Sequence, residues 1–470
     1  MSTRVAGFRC AVCGALVDIA TPLSWRCPNA TDADRHHVLQ IVGGGPEGGP
    51  VGSGPVGSAP VGSAPAGSGV DHPNPFVSFR SALAWDAFAA AARMTEAARI
   101  ALIEETDAAI ASVAGTGFRW TPFARADALS RALGFTDAGG VWIKDETGNV
   151  AGSHKARHLF TILLHLLTAE RMRSASWTGR AGTAGVGRPP LAIASCGNAA
   201  LAAATLAAAT TWPIKVFVPL AANESIVSRL AALGAEIVVC PRRDTDPPGD
   251  PCVHRFREAV AAGAVPFSVQ GPENAWCLDG GRTIGWELLA QAESSIGGER
   301  PLDRVIVQVG GGAFAACIGA AISRPALSGA ASSGAGQGRA PILHAVQTEG
   351  CAPLSRAWER AGDAAGRAAA AGHWSALMWP WETEPRSAAD GILDDETYDW
   401  LGVFDGMLAT GGWPIVAPES TVIEAARLAA EHTSIDASAT GTAGLAGLLT
   451  IRDEITPDER VAVVFSGIRR

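Results

Sequence analysis

The feature that most constrains the fold is a regular alternation of short apolar runs with alanine-rich stretches over residues 73–470. The short runs suit buried strands, and the stretches between them, such as Ala199–Ala209 and Glu224–Leu233, suit helices. This alternation is typical of parallel sheets covered by helices, so we predict an α/β fold. The seven predicted strands are Val141–Lys144, Leu191–Ala194, Lys215–Val218, Glu236–Cys240, Arg304–Val309, Ile342–Gln347 and Arg460–Phe465.

Length and charge narrow the class of protein further. A chain of 470 residues is long enough for two or three domains. Its net charge of −9 provides no broad basic surface, so we expect neither nucleic acid nor a membrane as a partner. Pro189–Ile214 carries no charge, but it is far less apolar than a membrane-spanning helix. Met1–Cys10 lacks the layout of a signal peptide, so we expect a cytoplasmic protein.

Lysine is scarce, because only Lys144, Lys155 and Lys215 occur among 37 basic residues. Lys155 follows a glycine-punctuated loop and is predicted to open a helix that runs through Leu163. The exposed N–H groups of a first helical turn create a positive field, which lowers the pKa of an amine and prepares it to form an imine. The competing interpretation is a surface lysine at a helix start.

A second segment with chemical potential follows the predicted strand Leu191–Ala194. It contains Ser195, Cys196 and Gly197, and then Asn198 at a predicted helix start. The carboxyl ends of strands are where α/β folds place ligands. Backbone N–H groups here suit a substrate carboxylate, and the Asn198 amide suits a ring oxygen. An ordinary asparagine helix cap is the alternative.

Two more segments also follow predicted strands. Gly310, Gly311 and Gly312 precede Ala313, and three glycines allow several N–H groups to converge on one phosphate. The spacing is neither a dinucleotide fingerprint nor a nucleotide-triphosphate loop, so it favours the phosphate of a tightly held cofactor over a free nucleotide. A flexible turn is the alternative. Ser466 follows the last strand, where a hydroxyl suits a pyridine nitrogen.

Together these segments resemble the tryptophan synthase β-like, or fold-type II, family of pyridoxal-phosphate enzymes over about residues 75–470. The family pattern around the cofactor lysine is Lys-x-Glu-x-x-Asn-Pro-Thr-Gly-Ser-x-Lys-Asp-Arg. It is matched at Lys144, Glu146, Asn149, Gly152, Ser153, Lys155 and Arg157. Val150, Ala151 and Ala156 depart from it, which loosens the subfamily assignment and spares the cofactor lysine.

The resemblance implies a role for each of these segments. Lys155 would form the Schiff base with pyridoxal phosphate and Asn198 would contact its phenolic oxygen. Gly310–Ala313 would hold the phosphate, and Ser466 would contact the pyridine nitrogen. The implied fold has two three-layer α/β domains with the cofactor in the cleft between them. We predict a large domain from residues 73–155 and 285–470, a small mobile domain from residues 156–284, and a homodimer.

Individual segments of the chain resemble more than one subfamily. Asp279–Glu287, Gln347–Pro353 and a cysteine-bearing N-terminus resemble threonine synthase. Ser466-Gly467 and Ala388–Gly391 are similar to threonine or serine dehydratases. His154, just before the cofactor lysine, resembles its counterpart in tryptophan synthase β, where the histidine helps hold the phosphate.

The expected chemistry starts with removal of the Cα proton of a small amino-acid substrate by the Lys155 amine. Because Ser466 is a neutral partner for the pyridine nitrogen, the ring is a weaker electron sink, which favours loss of a β-substituent. A threonine synthase would instead need a second anion pocket, for which Arg157, His158 and Arg282 are candidates. The chain is thus predicted to be a lyase of the ammonia-lyase type or a threonine synthase. The alternative from another class is a non-catalytic cofactor-binding regulator or scaffold.

The N-terminal region differs in composition from the rest. Residues 1–45 form a short cysteine-bearing head, and residues 46–72 contain four five-residue repeats of the type PVGSA, which predict a flexible tether. Two further glycine- and alanine-rich passages, Ser174–Pro190 and Ala326–Ala340, are predicted to be surface insertions.

Three cysteines of the head, Cys10, Cys13 and Cys27, have the spacing of a zinc ribbon, but an alanine stands where the fourth cysteine is expected. His36 or His37 could complete an intact site, or the ribbon is degenerate and has lost its metal. We favour a degenerate ribbon, because the loop to His36 is unusual. Since the tether separates the head from the cleft, any zinc there is expected to be structural.

Overall fold

The structure is a computed structural model that describes residues 5–31, 33–43, 72–178, 187–247, 249–298, 301–323 and 340–470. Residues 46–71 of the predicted tether, residues 179–186 of the first predicted insertion and residues 326–339 of the second lie outside the described residues. In the described part of the chain, no helix combines the length and the apolar character that crossing a bilayer requires.

The described residues form three sheets from thirteen strands. The strands are β1 Val5–Cys10, β2 Leu16–Asp18, β3 Leu39–Gly43, β4 Phe123–Arg125, β5 Gly140–Asp145, β6 Leu191–Ala194, β7 Ile214–Val218, β8 Glu236–Val239, β9 Val265–Pro266, β10 Arg304–Gln308, β11 Ile342–Thr348, β12 Pro414–Ala417 and β13 Arg460–Phe465. All seven predicted strands are present, and their ends differ from the prediction by at most one residue.

Helices connect most of these strands. They are α1 Pro75–Ser78, α2 Ala84–Ala91, α3 Glu96–Ala114, α4 Asp127–Ala132, α5 Lys155–Arg171, α6 Asn198–Ala209, α7 Glu224–Ala232, α8 Pro251–Ala261, α9 Cys277–Gly280, α10 Arg282–Ser295, α11 Ala313–Ile322, α12 Pro353–Arg360, α13 Ala364–Ala368, α14 Trp374–Leu377, α15 Trp400–Thr410, α16 Glu419–His432 and α17 Ala439–Thr450. The helix predicted to end at Leu163 continues to Arg171, because apolar residues persist along its buried side.

The large sheet has the strand order β12-β11-β10-β13-β5-β4, and all of its strands run parallel except β4. Successive side chains of β10 enter opposite cores, as the two-residue period of a strand requires. Val305 and Val307 pack with residues of α11 and α15, and Ile306 packs with residues of α17. Helices therefore cover both faces, which explains why these strands are apolar throughout.

The small sheet is fully parallel, with the order β8-β7-β6-β9. Its two faces also lie in different cores, since Leu191 and Ile193 pack on one side and Ala192 on the other. The predicted α/β class and the fold-type II architecture are confirmed. The domain bounds remain a prediction, although the strands of the small sheet all fall within residues 156–284.

The head forms the third sheet, with the antiparallel order β2-β1-β3. Despite the predicted tether, the head packs on the body of the protein. Phe8 packs edge-on against Trp276 at 5.0 Å, and the Trp276 indole donates to the carbonyl of Ser24 at 2.8 Å. The backbone N–H of Ala275 donates to the carbonyl of Trp25 at 2.9 Å. A three-stranded sheet this small cannot bury its apolar face alone, so it packs on another part of the protein. The residues that it contacts, Ala275 and Trp276, directly precede α9.

Candidate active site

The predicted segments meet because their strands are neighbours. β10, β13 and β5 lie side by side and parallel, so their carboxyl ends reach the same edge of the sheet. The triple glycine follows β10, Ser466 follows β13, and the loop to Lys155 follows β5. Three segments that are far apart in sequence therefore come together at the edge where α/β proteins bind ligands.

Lys155 is the first residue of α5, after a tight turn. Ala151 and Gly152 in this turn have left-handed backbones, with φ of 57° and 73°. At Gly152 a Cβ atom would lie 2.9 Å from Cδ1 of Ile468, so only glycine fits there without a shift. The Lys155 side chain is half-buried, and burial lowers the pKa of its amine against the attraction of two nearby carboxylates.

The three lysines have different surroundings. Lys144 is fully buried and donates to Glu287 at 2.6 Å and to Gln291 at 2.7 Å. Lys215 forms a surface ion pair with Glu236 at 3.1 Å. Lys155 alone has an ammonium with no hydrogen bond or ion pair to any residue that the structure describes. A half-buried amine without such a partner is available for chemistry.

His154 and Ser466 form a contact beside this lysine. Nδ1 of His154 lies 2.6 Å from Oγ of Ser466, and the backbone N–H of His154 donates to the same oxygen at 3.1 Å. The imidazole also stacks on Phe314, with ring centres 3.9 Å apart, which places it at the start of α11. Its Nε2 is buried and has no partner among the described residues. Burial lowers the pKa of His154 well below its ordinary value, so the ring is neutral.

Asn198, which follows strand β6 of the small sheet, lies beside the turn that follows Ser466. It is the first residue of α6, and its Oδ1 accepts a hydrogen bond from the guanidinium of Arg470. Gly467, with φ of 99°, passes so close that a Cβ atom there would lie 2.8 Å from Nδ2 of Asn198. The turn after Ser466 thus needs glycine where it meets the asparagine.

The loop before Asn198 lies at the same junction. The N–H of Gly197 approaches the hydroxyl of Ser195 at 3.4 Å, and Cys196 is exposed. Although the residue as a whole is exposed, partial burial of its sulfur raises the pKa of the Cys196 thiol, with further contributions from Asp250 and Asp390. Roles for Ser195, Cys196 and Gly197 in binding a substrate carboxylate remain predictions.

The triple glycine lies under a segment that sequence reasoning missed. This acidic segment is defined as residues 394–399, of sequence Asp-Asp-Glu-Thr-Tyr-Asp. A Cβ atom on Gly310 would lie 2.3 Å from Oδ2 of Asp394, and one on Gly311 would lie 3.1 Å from Cδ2 of Tyr398. Gly312 has φ of 95° and begins the turn into α11 at Ala313.

Two carboxylates of the acidic segment approach Lys155. Burial raises the pKa of Asp394 to about 6 and that of Asp399 to about 7, and the charge of Lys155 opposes both shifts. Oδ2 of Asp399 accepts from the N–H of Gly271 at 2.9 Å, and its Oδ1 is buried without a partner among the described residues. The sequence signal that could have revealed them is the acidic run just after Ala388–Gly391.

The three candidate residues for a second anion pocket, Arg157, Arg282 and His158, contact other groups inside the protein. Arg157 is fully buried and pairs with Glu146 at 3.0 Å and with Glu287 at 2.5 Å. Arg282 pairs with Asp279. Nδ1 of His158 lies 2.8 Å from the carbonyl oxygen of Cys277, and burial lowers the pKa of this histidine to about 3. Both arginines therefore already donate to internal partners, and a role for these three residues in binding a substrate phosphate stays a prediction.

In the head, four potential metal ligands converge. Sγ of Cys10 lies 3.4 Å from Nδ1 of His37, and Sγ of Cys13 lies 3.5 Å from that of Cys27. The four ligand atoms all lie within 4.8 Å of one another. His36, the other candidate, stacks on Trp374 with ring centres 5.4 Å apart and does not join the cluster.

Comparison with known proteins agrees with this geometry. The model of a family described as pyridoxal-phosphate dependent enzyme matches residues 115–467. No similar sequence was found among curated proteins. Among solved structures, maize serine racemase is 18% identical, covers 79% of this chain and 93% of its own, and superposes with a TM-score of 0.55.

Two ammonia-releasing enzymes are about equally similar. A threonine deaminase from Solanum lycopersicum is 16% identical, with coverage of 80% of this chain and 91% of its own and a TM-score of 0.55. Diaminopropionate ammonia lyase from Escherichia coli is 16% identical, with coverage of 79% and 88% and a TM-score of 0.56. At these identities the likeness shows the shared fold, and it does not distinguish racemases from lyases.

Proposed function

The chain belongs to the family of pyridoxal-phosphate dependent enzymes, and on this premise we propose that it binds the cofactor at Lys155 and removes the β-substituent of a small amino acid, with release of ammonia and a keto acid. The observation that carries the proposal is the position of Lys155. Its unpaired, half-buried amine lies at the sheet edge where the triple glycine, Ser466 and Asn198 converge.

The residues at this edge fit pyridoxal phosphate. Nε2 of His154 is a buried donor or acceptor that lacks a partner among the described residues, beside the start of α11. Gly310, Gly311 and Gly312 directly precede α11, where backbone N–H groups suit an anion. We assign the covalent bond to Lys155, the phosphate to Gly310–Ala313 with His154, and the ring to Asn198 and Ser466.

When bound, pyridoxal phosphate supplies an electron sink for the Cα carbon of the amino acid. The protein itself contributes a base, Lys155, and a partner for the ring nitrogen, Ser466, which determines how strongly the ring withdraws electrons. The lowered pKa of Lys155 leaves a larger fraction of its amine neutral and able to accept the Cα proton. Ser466 offers a neutral hydroxyl to the ring nitrogen, and this favours early loss of a β-substituent over a long-lived carbanion.

We favour elimination over the threonine synthase reaction because of the charges of the residues around Lys155. A γ-phosphate substrate needs cationic donors in addition to those that hold the cofactor. Arg157 and Arg282 are paired with buried carboxylates, and the acidic segment adds negative charge near Lys155. Substrates with a neutral or cationic β-substituent, such as serine, threonine or 2,3-diaminopropionate, suit these surroundings better.

The test is an assay of the purified protein with serine, threonine, 2,3-diaminopropionate and O-phosphohomoserine. We expect a yellow protein that releases ammonia and a keto acid from at least one of the first three. Lys155→Ala should lose colour and activity, and Lys215→Ala, which changes a surface lysine, should keep both. Ammonia release by Lys155→Ala at the wild-type rate would refute the role of this lysine.

The same assay separates the rival activities. Recovery of an amino acid as both enantiomers without ammonia would favour a racemase. Inorganic phosphate released from O-phosphohomoserine alone would favour a threonine synthase. Colour that responds to no amino acid would favour a non-catalytic regulator.

We also propose that the head holds a structural zinc ion through Cys10, Cys13, Cys27 and His37. Tetrahedral zinc with thiolate and imidazole ligands places neighbouring ligand atoms about 3.4–3.8 Å apart, and the observed pairs, at 3.4 and 3.5 Å, have this spacing before any metal is added. Asn29 supports the sulfurs, since its backbone N–H approaches Cys27 and its amide approaches Cys13, both at 3.4 Å.

Metal analysis of His37→Ala and of the matched variant His36→Ala tests the zinc site. We expect about one zinc ion per chain in the wild type and in His36→Ala, and loss of zinc from His37→Ala. Wild-type protein that stays free of zinc after purification with added metal would contradict the assignment, as would equal loss from both variants.

A further inference from the structure

We propose that zinc in the head and the cofactor at Lys155 strengthen each other's binding through a short chain of contacts. Loop 23–27, which ends at the zinc ligand Cys27, contacts both helix α5, which begins at Lys155, and the segment that includes α9. This segment is defined as the bridge, residues 271–281. The inference rests on the proposed function, because it takes Lys155 to bind the cofactor and the head to hold zinc.

Loop 23–27 contacts α5 at one buried histidine. The backbone N–H of Leu23 donates to Nε2 of His165 at 3.0 Å, and the ring of Trp25 packs edge-on against the same imidazole, with ring centres 5.5 Å apart. His165 is fully buried, and burial lowers its pKa to about 3, so the ring is neutral and its Nε2 can accept. Because Cys27 follows Trp25 by two residues, a metal that holds Cys27 also orders the loop that makes both contacts.

The same loop holds the bridge. The carbonyl of Ser24 accepts from the Trp276 indole at 2.8 Å, and the carbonyl of Trp25 accepts from the N–H of Ala275 at 2.9 Å. Trp276 is fully buried, so its indole would be left as a buried donor without an acceptor if the loop moved away. An ordered loop therefore favours one position of the bridge.

On its other side the bridge contacts the first two turns of α5. Nδ1 of His158 donates to the carbonyl of Cys277 at 2.8 Å, and the hydroxyl of Thr161 donates to the carbonyl of Trp276 at 3.0 Å. Cys277 is also close enough to Lys155 to influence the pKa of its amine. The residue that contacts the head through its side chain, Trp276, thus contacts the lysine helix through its backbone.

The bridge also reaches the acidic segment. The N–H of Gly271 donates to Oδ2 of Asp399 at 2.9 Å, and a Cβ atom on Gly271 would overlap the other oxygen of this carboxylate. The same carboxylate attracts the ammonium of Lys155. A shift of the bridge would therefore change both the helix that carries the amine and a charge that acts on it.

The experiment measures the dissociation constant of pyridoxal phosphate with and without zinc in the head, and that of zinc with and without pyridoxal phosphate. The factor by which one ligand changes the affinity of the other must be equal in both directions. His165→Phe removes the acceptor for Leu23 and keeps an aromatic ring in the core. His36→Ala changes a head residue outside both loop 23–27 and the metal cluster, so it is the matched control.

We expect zinc to tighten pyridoxal phosphate about fivefold or more in the wild type, and pyridoxal phosphate to tighten zinc by the same factor. His36→Ala should keep this factor. His165→Phe should still bind zinc, but its factor should fall below about twofold, because the contact between loop 23–27 and α5 is lost. If His165→Phe folds poorly, Trp25→Ala provides the same comparison.

Circular dichroism verifies that the protein stays folded after a chelator has removed zinc. If it unfolds, the zinc-loaded variants decide: His165→Phe should bind pyridoxal phosphate at least about fivefold more weakly than His36→Ala, and equal binding overturns the proposal.

A wild-type factor below about twofold overturns the proposal and leaves the proposed function intact, as does a factor that is unchanged in both His165→Phe and Trp25→Ala. Wild-type protein that binds no zinc, or no pyridoxal phosphate, overturns that part of the proposed function, and the coupling is then lost with it.

Discussion

Lys144 and Lys155 are separated by eleven positions in sequence, yet their environments differ in kind. Lys144 is buried with a full set of partners, and its region contains Glu287, Arg157 and Glu146 in one continuous network of ion pairs. Lys155 lies among carboxylates at charge-interaction range but pairs with none of the described residues. A buried charge with every donor satisfied serves the fold, and one left without a partner is available to a ligand.

Removal of a carboxylate from the Lys144 network should have the largest effect. Glu287→Gln leaves Lys144 and Arg157 without one of their charged partners, so we expect a loss of about 3–5 kcal/mol in the free energy of unfolding. Urea unfolding of the cofactor-free protein measures it. Glu293→Gln, on the exposed side of the same helix α10, is the matched control and should change stability by less than about 0.5 kcal/mol. Equal losses of unfolding free energy in both variants would mean that the ion-pair network does not stabilise the fold more than a surface glutamate does.

Asp399 should behave in the opposite way. Its pKa is raised to about 7 in the folded chain from an ordinary value of 3.8. The folded chain thus binds a proton that the unfolded chain has lost, and stability falls as pH rises from about 4 to about 7. Asp399→Asn should raise the free energy of unfolding by roughly 2–4 kcal/mol at pH 8. The gain should be largely lost at pH 4, and a gain that is the same at both pH values would contradict this explanation.

The smallest effect on stability is expected at the proposed catalytic lysine. Burial lowers the pKa of Lys155, so its ammonium is less stable in the folded chain than in water. This cost is present at neutral pH and disappears as pH rises toward the ordinary lysine value. Lys155→Met should therefore raise the unfolding free energy of cofactor-free protein by roughly 1 kcal/mol. Lys215→Met should change it by less than about 0.5 kcal/mol, and destabilisation by Lys155→Met would show that the lysine supports the fold.

The sequence predicts which segments form the candidate site, because each of them directly follows a strand. The triple glycine, Ser466 and the loop to Lys155 each follow a strand whose apolar run marks its end. Because parallel strands bring their carboxyl ends to one edge, finding the strands is enough to place the segments together.

What sequence could not predict depends on contacts between distant residues. Arg157 stands in the family pattern, but its commitment to Glu287 depends on packing across 130 positions. The acidic segment lies over Gly310 through tertiary contacts alone, and no periodicity marks it. The head packs on Trp276 despite the tether, because the apolar face of its small sheet needs a partner.

The most direct measurement is chemical trapping of the cofactor. Borohydride reduction of the yellow protein fixes pyridoxal phosphate on the amine that holds it, and peptide mass spectrometry then identifies that residue. We predict the modification on the peptide that contains Lys155, with Lys144 and Lys215 unmodified. A pyridoxyl group on either of the other two lysines, or none on any lysine of a protein that binds the cofactor, would contradict the assignment of Lys155.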